Sequence, residues 1–321
     1  MSIIRKEAYF ASTTGEHKVR CMIWEDDSVN KKGIFQIAHG VCDYSERYDS
    51  FARFLASNGF VVCANDHLGH GKTAGSLEKL SEMPDDASIR IVDDMHKLHN
   101  IMQKRYPELP YYLFGHSMGS FCARIYSSVF GDELAGVVYC GTASIPYVSS
   151  LLIPLLEKAV NVIGPQKKYP FLYSLSGKAA NIGIKNPKTP SDWLSANEEN
   201  VQKFIADPYC FDLYSLSFCR DTFKLAVECN RKNWQYKVPL GLPILMISGE
   251  KDCVGMFTVG VKATYEQLLE AGHLPKLILY PDRRHEILND NNKEEVYNDV
   301  LNWLNDIDSN VIKSNSTYKT V

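Results

Sequence analysis

The chain has 321 residues, of which 45% are hydrophobic and 23% charged, and its 35 basic and 38 acidic side chains give a formal net charge of −3. This composition excludes a disordered chain, a collagen-like fibre and a coiled coil, and the lack of a basic surplus argues against a nucleic-acid-binding protein. A chain of this length can bury a large core without disulfides or metals. Its length allows either two domains or one α/β domain with an insertion.

Short apolar segments alternate with helical patterns over most of the chain. A hairpin is predicted around residues 14–16, and a helical stripe of Phe51, Phe54 and Leu55 separates the first two buried strands. Strands that alternate with helices indicate an α/β protein with a mostly parallel central sheet and helices on both faces. The predicted strands are 34–38, 60–64, 111–114, 134–139, 243–247 and 277–280, and the later helices are 89–105, one starting at 118, 259–270 and 293–307.

The alternation is interrupted between residues 143 and 241. This stretch has a helical character, is broken by several prolines such as Pro154 and Pro165, and lacks the apolar strands of the flanking regions. We interpret it as a helical cap inserted into a single α/β core, which comprises residues 1–142 and 242–308. The polar residues 309–321 are expected to form a loose tail.

Nine cysteines, an odd number, are scattered through the sequence without a C-x-x-C pair. Several stand in apolar runs, as Cys63 does in residues 60–64, which is typical of buried, reduced thiols. The N-terminus carries no apolar leader, and no stretch of ~18 apolar residues that could span a membrane occurs. We therefore expect a soluble protein in the reducing cytoplasm.

The segment Gly115-His116-Ser117-Met118-Gly119 matches the G-x-S-x-G pattern. By itself this pattern is weak, but here it directly follows a predicted strand and directly precedes a predicted helix. In such a strand–turn–helix unit a sharp turn exposes the serine hydroxyl, and small residues on either side avoid clashes. The helix N-terminus behind the serine favours developing negative charge. Ser117 is therefore the predicted nucleophile.

A serine nucleophile needs a general base and an acid that orients the base, and in this arrangement they follow in the order Asp, His. Asp252 comes just after one predicted strand, and His285 comes just after the next. Two other acids are less suitable, because Glu250 stands earlier in its turn and Asp282 shares the loop of the histidine. We predict that Asp252 and His285 act with Ser117.

Two backbone N–H groups are needed to stabilise the oxyanion that forms when the serine attacks a carbonyl group. One is expected from Met118, the residue after the nucleophile, and the other from Val41 in the loop after strand 34–38. Gly40 allows this loop to bend close to the substrate. We expect substrate contacts from Gly40, Asp43, His116, Leu151 and Leu152.

Five motifs stand in a characteristic order, namely His39-Gly40, residues 66–73 (DHLGHGKT), 115–119, 249–252 (GEKD) and 280–288 (YPDRRHEIL). Together they resemble the α/β-hydrolase family, and more closely its monoacylglycerol lipase and lysophospholipase branch, the serine-aminopeptidase-like hydrolases. The resemblance implies an α/β-hydrolase fold in which residues 143–241 cover the active site. It also implies cleavage of carboxylic esters without a cofactor.

One motif departs from the resemblance. The lipase branch commonly has His-Gly-x-Gly-Glu-His, whereas residues 39–44 read HGVCDY. Cys42 thus replaces a glycine beside the expected oxyanion donor, and Asp43 is shorter than the usual glutamate. We interpret Cys42 as a packing residue rather than a reactive thiol. The departure concerns the choice of headgroup and leaves the three catalytic candidates unchanged.

Two further patterns resemble ligand-binding motifs, but we predict that neither binds a ligand. Residues 69–73 end like a phosphate-binding loop, but Asp66 stands where the full pattern requires glycine, so nucleotide binding is rejected. His96 and His99 have the spacing of metal ligands on a helix. We interpret them as polar residues on a solvated helix flank, and we predict no metal site.

The apolar run 145–156, which includes Leu151 and Leu152, opens the insertion. Packing of a cap helix on the core, an entrance for an acyl chain, and a transient contact with a membrane surface are all open interpretations. An apolar cap would increase the affinity for long acyl chains, since each buried methylene contributes ~0.8 kcal/mol.

The sequence thus predicts a serine hydrolase that cleaves monoacylglycerol or lysophospholipid, small-molecule acyl esters, through an acyl-enzyme. An aminopeptidase or acyltransferase with the same three residues is one alternative, and a non-catalytic binding protein is another. A peptidase should present acidic groups that hold a free amine. Glu157, Glu198 and Glu199 of the cap are unspecific candidates for that role. The acyl length, the headgroup and the oligomeric state stay open.

Overall fold

The computed structural model describes residues 3–317, without the side chains of Leu172, Ser176 and residues 308–317. The strands are β1 Ile4–Ala11, β2 Lys18–Glu25, β3 Gly33–Ala38, β4 Phe60–Asn65, β5 Tyr111–His116, β6 Gly136–Cys140, β7 Lys168–Tyr169, β8 Tyr214–Ser215, β9 Ile244–Gly249 and β10 Lys276–Tyr280. The α-helices are α1 Asp49–Ser57, α2 Ala87–Arg105, α3 Met118–Phe130, α4 Ile153–Ile163, α5 Pro170–Ala180, α6 Glu198–Ala206, α7 Leu216–Glu228, α8 Val259–Glu270 and α9 Lys293–Thr317.

Eight of the described strands form one sheet in the order β1-β2-β4-β3-β5-β6-β9-β10. The N-terminal hairpin is antiparallel, and β2 also pairs antiparallel with β4, whereas β4, β3, β5, β6, β9 and β10 all run parallel. The strands β3 to β6 are buried along their whole length, which explains why they appear in the sequence as mostly apolar runs without regular polar alternation. The predicted α/β fold with a mostly parallel sheet is confirmed.

Helices cover both faces of the sheet and produce two apolar cores. On one face α1 and α9 pack through an aromatic cluster, in which the ring of Phe51 lies 5.9 Å from that of Phe35 and 5.6 Å from that of Phe114. On the other face α2 and α3 bury Met95 and Cys122 against the strands. Because helices cover the sheet on both faces, the carboxyl ends of its strands are held in fixed positions, from which the loops of the site extend.

The long insertion leaves the sheet at the carboxyl end of β6 and returns into the neighbouring strand β9, where Val137 pairs with Ile244. It contains α4 to α7 together with the short antiparallel strand pair β7–β8, which the sequence pattern did not predict. Helix α7 packs against both α3 and α4 and so connects the insertion to the core. The cap boundaries at residues 143 and 241 remain a prediction.

The C-terminal helix is longer than predicted. We expected it to end near Ile307 and the tail from residue 309 to be loose, but α9 continues to Thr317. No glycine or proline that would stop the helix occurs in residues 308–317. Residues 318–321 of the expected tail lie outside the described residues. No helix within residues 3–317 combines the length and the apolar character required for crossing a bilayer.

Candidate active site

Ser117 occupies the turn between β5 and α3. Its backbone has φ 55° and ψ −120°, a conformation that non-glycine residues rarely adopt and that is typical of a strained strand–helix elbow. The Ser117 N–H donates to the carbonyl of Cys140 in β6 at 2.9 Å, and the Ser117 carbonyl accepts from the N–H of Ser120 at 2.8 Å. These bonds hold the serine at the carboxyl edge of the sheet.

The two glycines of the motif are required by close contacts. A Cβ atom on Gly115 would overlap the carbonyl group of Gly119 and would lie 2.8 Å from the Cβ of Ala123. A Cβ atom on Gly119 would overlap the carbonyl oxygen of Ala38 at the end of β3. The helix therefore packs directly onto the strand ends, and this packing forces the sharp turn at Ser117.

Asp252 and His285 are brought together by two neighbouring parallel strands. Asp252 follows β9 and His285 follows β10, and Nδ1 of His285 lies 2.9 Å from Oδ2 of Asp252. The second oxygen of Asp252 accepts the N–H of Val254 at 2.8 Å, while Ser248 donates to Oδ2 at 3.3 Å. Both side chains are buried. Because the carboxylate accepts from Nδ1–H, the neutral imidazole carries its lone pair on Nε2.

The second ring nitrogen of this histidine is unpaired, and the ring packs against Gly141 at the end of β6. Nε2 of His285 is buried and makes no hydrogen bond to any side chain or backbone group of the described residues. Gly141, whose neighbour Cys140 binds the Ser117 N–H, packs so closely that a Cβ there would lie 3.1 Å from Cε1 of His285. The ring of His285 also lies 4.7 Å from that of His116. An unpaired Nε2 beside the elbow can accept a proton.

The surroundings of His285 favour its protonated form. Burial opposes the charged imidazolium, but the carboxylates of Asp252, Glu286 and Asp43 outweigh burial and raise the pKa of His285 above 6.5. A raised pKa makes the imidazole a better proton acceptor, as a general base must be.

The loop after β3 lies against the serine. A Cβ atom on Gly40 would come within 3.3 Å of both the Ser117 Cβ and Nδ1 of His116. Val41 follows on the same loop, and Met118 is the first residue of α3. The backbone groups predicted as oxyanion donors therefore belong to the two segments that flank Ser117.

Cys42 occupies a position that suits a glycine. Its φ is 54°, in the left-handed region that glycine adopts without strain. The side chain is buried, and burial raises the pKa of the Cys42 thiol, so that the thiol is neutral at physiological pH. These features support the interpretation of Cys42 as a packing residue.

A pocket of about 570 Å³ begins beside this loop and extends under the cap. Among its described side chains none is charged, and most are aliphatic or aromatic. At one end Val41 and Trp193 reach the candidate site, since the Trp193 ring lies 5.1 Å from that of His285. The wall is formed mainly by Val41, Cys42, Tyr173, Leu175, Trp193, Leu194, Phe218, Cys219, Thr222 and Ala226.

The five residues predicted to contact substrate do not lie together in the structure. Leu151 and Leu152 lie on the outer surface of the insertion, with exposed fractions of 75% and 53%, and are absent from the described lining of this pocket. Asp43 and His116 are buried, and both contact the hydroxyl of Tyr48, at 2.8 Å and 3.0 Å. Gly40 lies directly against the serine, and His116 precedes Ser117 in the elbow.

Sequence reasoning missed three residues near the site, Trp193, Arg47 and Glu286. Arg47 stands four residues after Asp43 and Glu286 follows His285, so their proximity to predicted residues was a usable signal. No local signal identifies Trp193, because it reaches His285 from the distant insertion.

No cluster of three or more His, Cys, Asp or Glu side chains in the described part of the chain has a geometry that could hold a metal ion. His96, considered above as a metal ligand, stacks on the ring of Phe130 at 3.7 Å and contacts Glu133 at 3.0 Å. These contacts are typical of a half-exposed side chain on a helix flank. For His99 the predicted solvated position is wrong, because its ring is buried, stacks on Tyr111 at 3.9 Å and contacts the hydroxyl of Tyr126 at 2.8 Å.

A parallel sheet with a serine elbow after β5, followed by an acid and a histidine after later strands, defines an α/β-hydrolase. The chain belongs to the family described as serine aminopeptidase, S33 (Hydrolase_4), whose model matches residues 29–292.

Lipases and esterases are among the proteins similar to this chain. It is 25% identical over 304 residues to the monoacylglycerol lipase of Mycolicibacterium smegmatis, covering 95% of this chain and 98% of the relative. It is 28% identical to the monoglyceride lipase of Homo sapiens over 72% of this chain and 69% of the relative. A thermostable carboxyl esterase from Bacillus coagulans, solved in complex with glycerol, superposes with a TM-score of 0.86 at 33% identity, covering 95% of this chain and 99% of the esterase.

Proposed function

We propose that this chain, a carboxylic ester hydrolase by its relatives, cleaves monoacylglycerols or lysophospholipids with a Ser117–His285–Asp252 triad. The observation that carries the proposal is the uncharged, mostly apolar pocket of about 570 Å³. Its wall includes Val41, which follows the glycine that lies against Ser117, and Trp193, whose ring lies 5.1 Å from that of His285. A pocket of this size lies within the usual range for small-molecule sites.

In the proposed reaction His285 Nε2 takes the proton of Ser117 Oγ while Oγ bonds to the ester carbonyl carbon. The carbonyl electron pair moves to the oxygen, which accepts hydrogen bonds from the N–H groups of Val41 and Met118. The intermediate collapses, the alcohol leaves, and it receives the proton from His285. Water then attacks the acyl-enzyme by the same steps and releases the carboxylic acid. Asp252 fixes the imidazole tautomer and stabilises its charged form.

The chemistry of the pocket favours an acyl ester over a peptide. An aminopeptidase must hold a cationic amine, which requires a carboxylate close to the site. The three candidate acids of the cap are instead paired with lysines, since Glu157 contacts Lys224 at 2.8 Å and Glu199 contacts Lys203 at 2.7 Å. Glu198 likewise contacts Lys188 on the surface. An apolar wall without charges suits a hydrocarbon chain.

A bulky residue at position 222 should shorten the acyl chain that the enzyme accepts. Thr222 lines the pocket, and its hydroxyl is buried without a partner among the described groups, so Thr222→Phe loses no hydrogen bond there. The phenyl ring should exclude about two methylenes of a long acyl chain from the pocket, which would weaken binding of the chain by about 1.6 kcal/mol. We therefore expect kcat/KM for palmitoyl glycerol to fall about tenfold or more. Butyryl glycerol, assayed in parallel, should change less than about twofold.

Glu228→Phe on the same helix is the matched control, because Glu228 is exposed and lies outside the described pocket lining. It should leave the chain-length profile unchanged. An unchanged profile in Thr222→Phe would reject this pocket as the acyl site. Faster cleavage of a leucyl amide than of either ester would favour the aminopeptidase. Formation of a new ester with an added alcohol, instead of release of the free carboxylic acid, would favour an acyltransferase.

We also propose that the insertion touches a membrane surface where its substrates reside. Large apolar side chains are exposed along the 3-10 helix Tyr147–Leu152 and along α4 and α5. Leu175 belongs to this apolar surface, with 61% of its side chain exposed, and it also lines the pocket. Leu175 therefore joins the wall of the proposed acyl pocket to the exterior of the insertion, where a lipid would enter. The exposed set comprises Tyr147, Val148, Leu151, Leu152, Leu155, Val162, Ile163, Phe171 and Leu175.

Leu151→Asp should weaken binding to phosphatidylcholine vesicles about tenfold in a co-sedimentation assay, because burying a leucine contributes about 1.5–3 kcal/mol. Its activity on dissolved butyryl glycerol should stay within about twofold of wild type. Leu274→Asp is the control, since Leu274 is 93% exposed on the core loop before β10 and belongs to none of the three helices that carry the exposed apolar set. Equal losses of vesicle binding in the two variants would argue against contact through the insertion.

A further inference from the structure

Three separate segments beside the candidate site meet at one guanidinium, that of Arg47. They are the loop after β3, represented by Asp43, the loop after β10, represented by Glu286, and the cap helix α6, represented by Asn200. We call these four residues the Arg47 junction. Arg47 itself stands just before α1, and its side chain is 10% exposed.

The strongest link of the Arg47 junction joins Arg47 to Glu286. The guanidinium donates two parallel hydrogen bonds to the carboxylate, from Nη1 to Oε1 at 2.6 Å and from Nη2 to Oε2 at 2.8 Å. This bidentate geometry is the most specific that arginine forms. Burial would raise the pKa of Glu286, but the charge and hydrogen bonds of Arg47 dominate and hold it below its usual value. Glu286 is therefore a fixed negative charge one residue after His285.

The second link joins Arg47 to the loop after β3, which lies against Ser117. Nη1 donates to Oδ1 of Asp43 at 3.3 Å, and Asp43 in turn accepts the N–H of Tyr44 at 2.8 Å and that of Gly40 at 3.4 Å. Asp43 thus holds the backbone at both ends of the Gly40–Tyr44 turn, which contains the proposed oxyanion donor Val41. With its oxygens engaged in this way, Asp43 supports the loop instead of facing a substrate headgroup.

The cap contributes the third side of the Arg47 junction. Asn200 donates from Nδ2 to Oε2 of Glu286 at 2.8 Å, and the guanidinium carbon of Arg47 lies 4.9 Å from the centre of the Phe204 ring on the same helix. The backbone N–H of Glu286 also donates to the carbonyl of Leu194, next to Trp193. The junction therefore ties the cap to the loop that carries His285.

We infer that Arg47 is a positioning residue for ester hydrolysis, which fixes the loop of the oxyanion donor Val41 relative to the loop of the base His285. One guanidinium lies between two buried carboxylates, and without it Asp43 and Glu286 would repel each other across a site of low polarity. The two loops carry groups that must act on the same reacting carbon. A small displacement between them weakens transition-state binding far more than binding of the acyl chain.

Arg47→Met tests this inference, which rests on the proposed function. We expect kcat for palmitoyl glycerol to fall about 10²-fold, comparable to the loss of one oxyanion donor, with KM changed less than about threefold. Affinity for an alkyl boronic acid, which mimics the tetrahedral state, should fall by about the same factor as kcat. Arg47→Lys keeps the charge but not the bidentate geometry and should recover about tenfold of the lost activity.

Arg53→Met is the control, because Arg53 is a half-exposed arginine of α1 that pairs with Asp49 away from the site. Failure of the wild type and of this control to hydrolyse the ester would reject the proposed function itself. With both active, the inference is overturned if Arg47→Met keeps kcat within about threefold, or if the loss appears in KM alone. Should Arg47→Met not fold, Arg47→Lys and Glu286→Gln take its place, and wild-type kcat in both would overturn the inference.

Discussion

Replacement of Ser117 by alanine is expected to lower kcat/KM for palmitoyl glycerol by at least about 10⁴-fold. The side chain at the elbow is the only group at this point that can bond to the ester carbon in the proposed reaction. The residual rate would come from the oxyanion donors and from binding of the acyl chain. The measurement is a steady-state assay of fatty acid release, together with labelling by a fluorophosphonate, which should modify the wild type and not the variant.

The same variant should remain folded. Alanine keeps the backbone bonds from residue 117 to Cys140 and Ser120, and it is also a non-glycine residue at φ 55°, so the strain of the turn is unchanged. Its free energy of unfolding should stay within about 1 kcal/mol of wild type. Ester turnover by Ser117→Ala at the wild-type rate would reject the acyl-enzyme mechanism.

Asp252→Asn is expected to lower kcat about 10⁴-fold, because asparagine can donate to Nδ1 and so favours the wrong imidazole tautomer. It should also move the pH profile. The base must be neutral to act, so kcat/KM rises with pH through the pKa of His285, and its midpoint in the wild type should lie above 6.5, because Asp252 and its neighbours outweigh burial. Burial lowers the pKa of His285, and in Asp252→Asn the main carboxylate that opposes this effect is gone. The midpoint should therefore move to lower pH.

The pH profile separates the two contributions of Asp252. Profiles of kcat/KM between about pH 5 and 9 would be recorded for both proteins, with active-site titration to correct for inactive enzyme. A large loss of rate without a shift of the midpoint would assign Asp252 to orientation alone. A midpoint that moves to higher pH would contradict the electrostatic account of the His285 environment.

The sequence determined those features that depend on short stretches of chain. The elbow at Ser117 was predictable because strand, turn and helix are adjacent, and the glycines at 115 and 119 are demanded by contacts within this unit and with β3. The contact between Asp252 and His285 was also predictable, although they are 33 positions apart. Both follow strands of one parallel sheet, and the carboxyl ends of such strands meet at one edge.

Only the tertiary structure decided what surrounds these residues. Leu151 and Trp193 both belong to the insertion, yet one is exposed and the other lies against His285, because the path of an irregular segment depends on contacts that no periodic pattern encodes. Arg47 meets Glu286 across 239 positions through two specific hydrogen bonds. Hydrophobic periodicity specifies which face of an element is buried, whereas the partner of a buried charge is specified by the packing of distant loops.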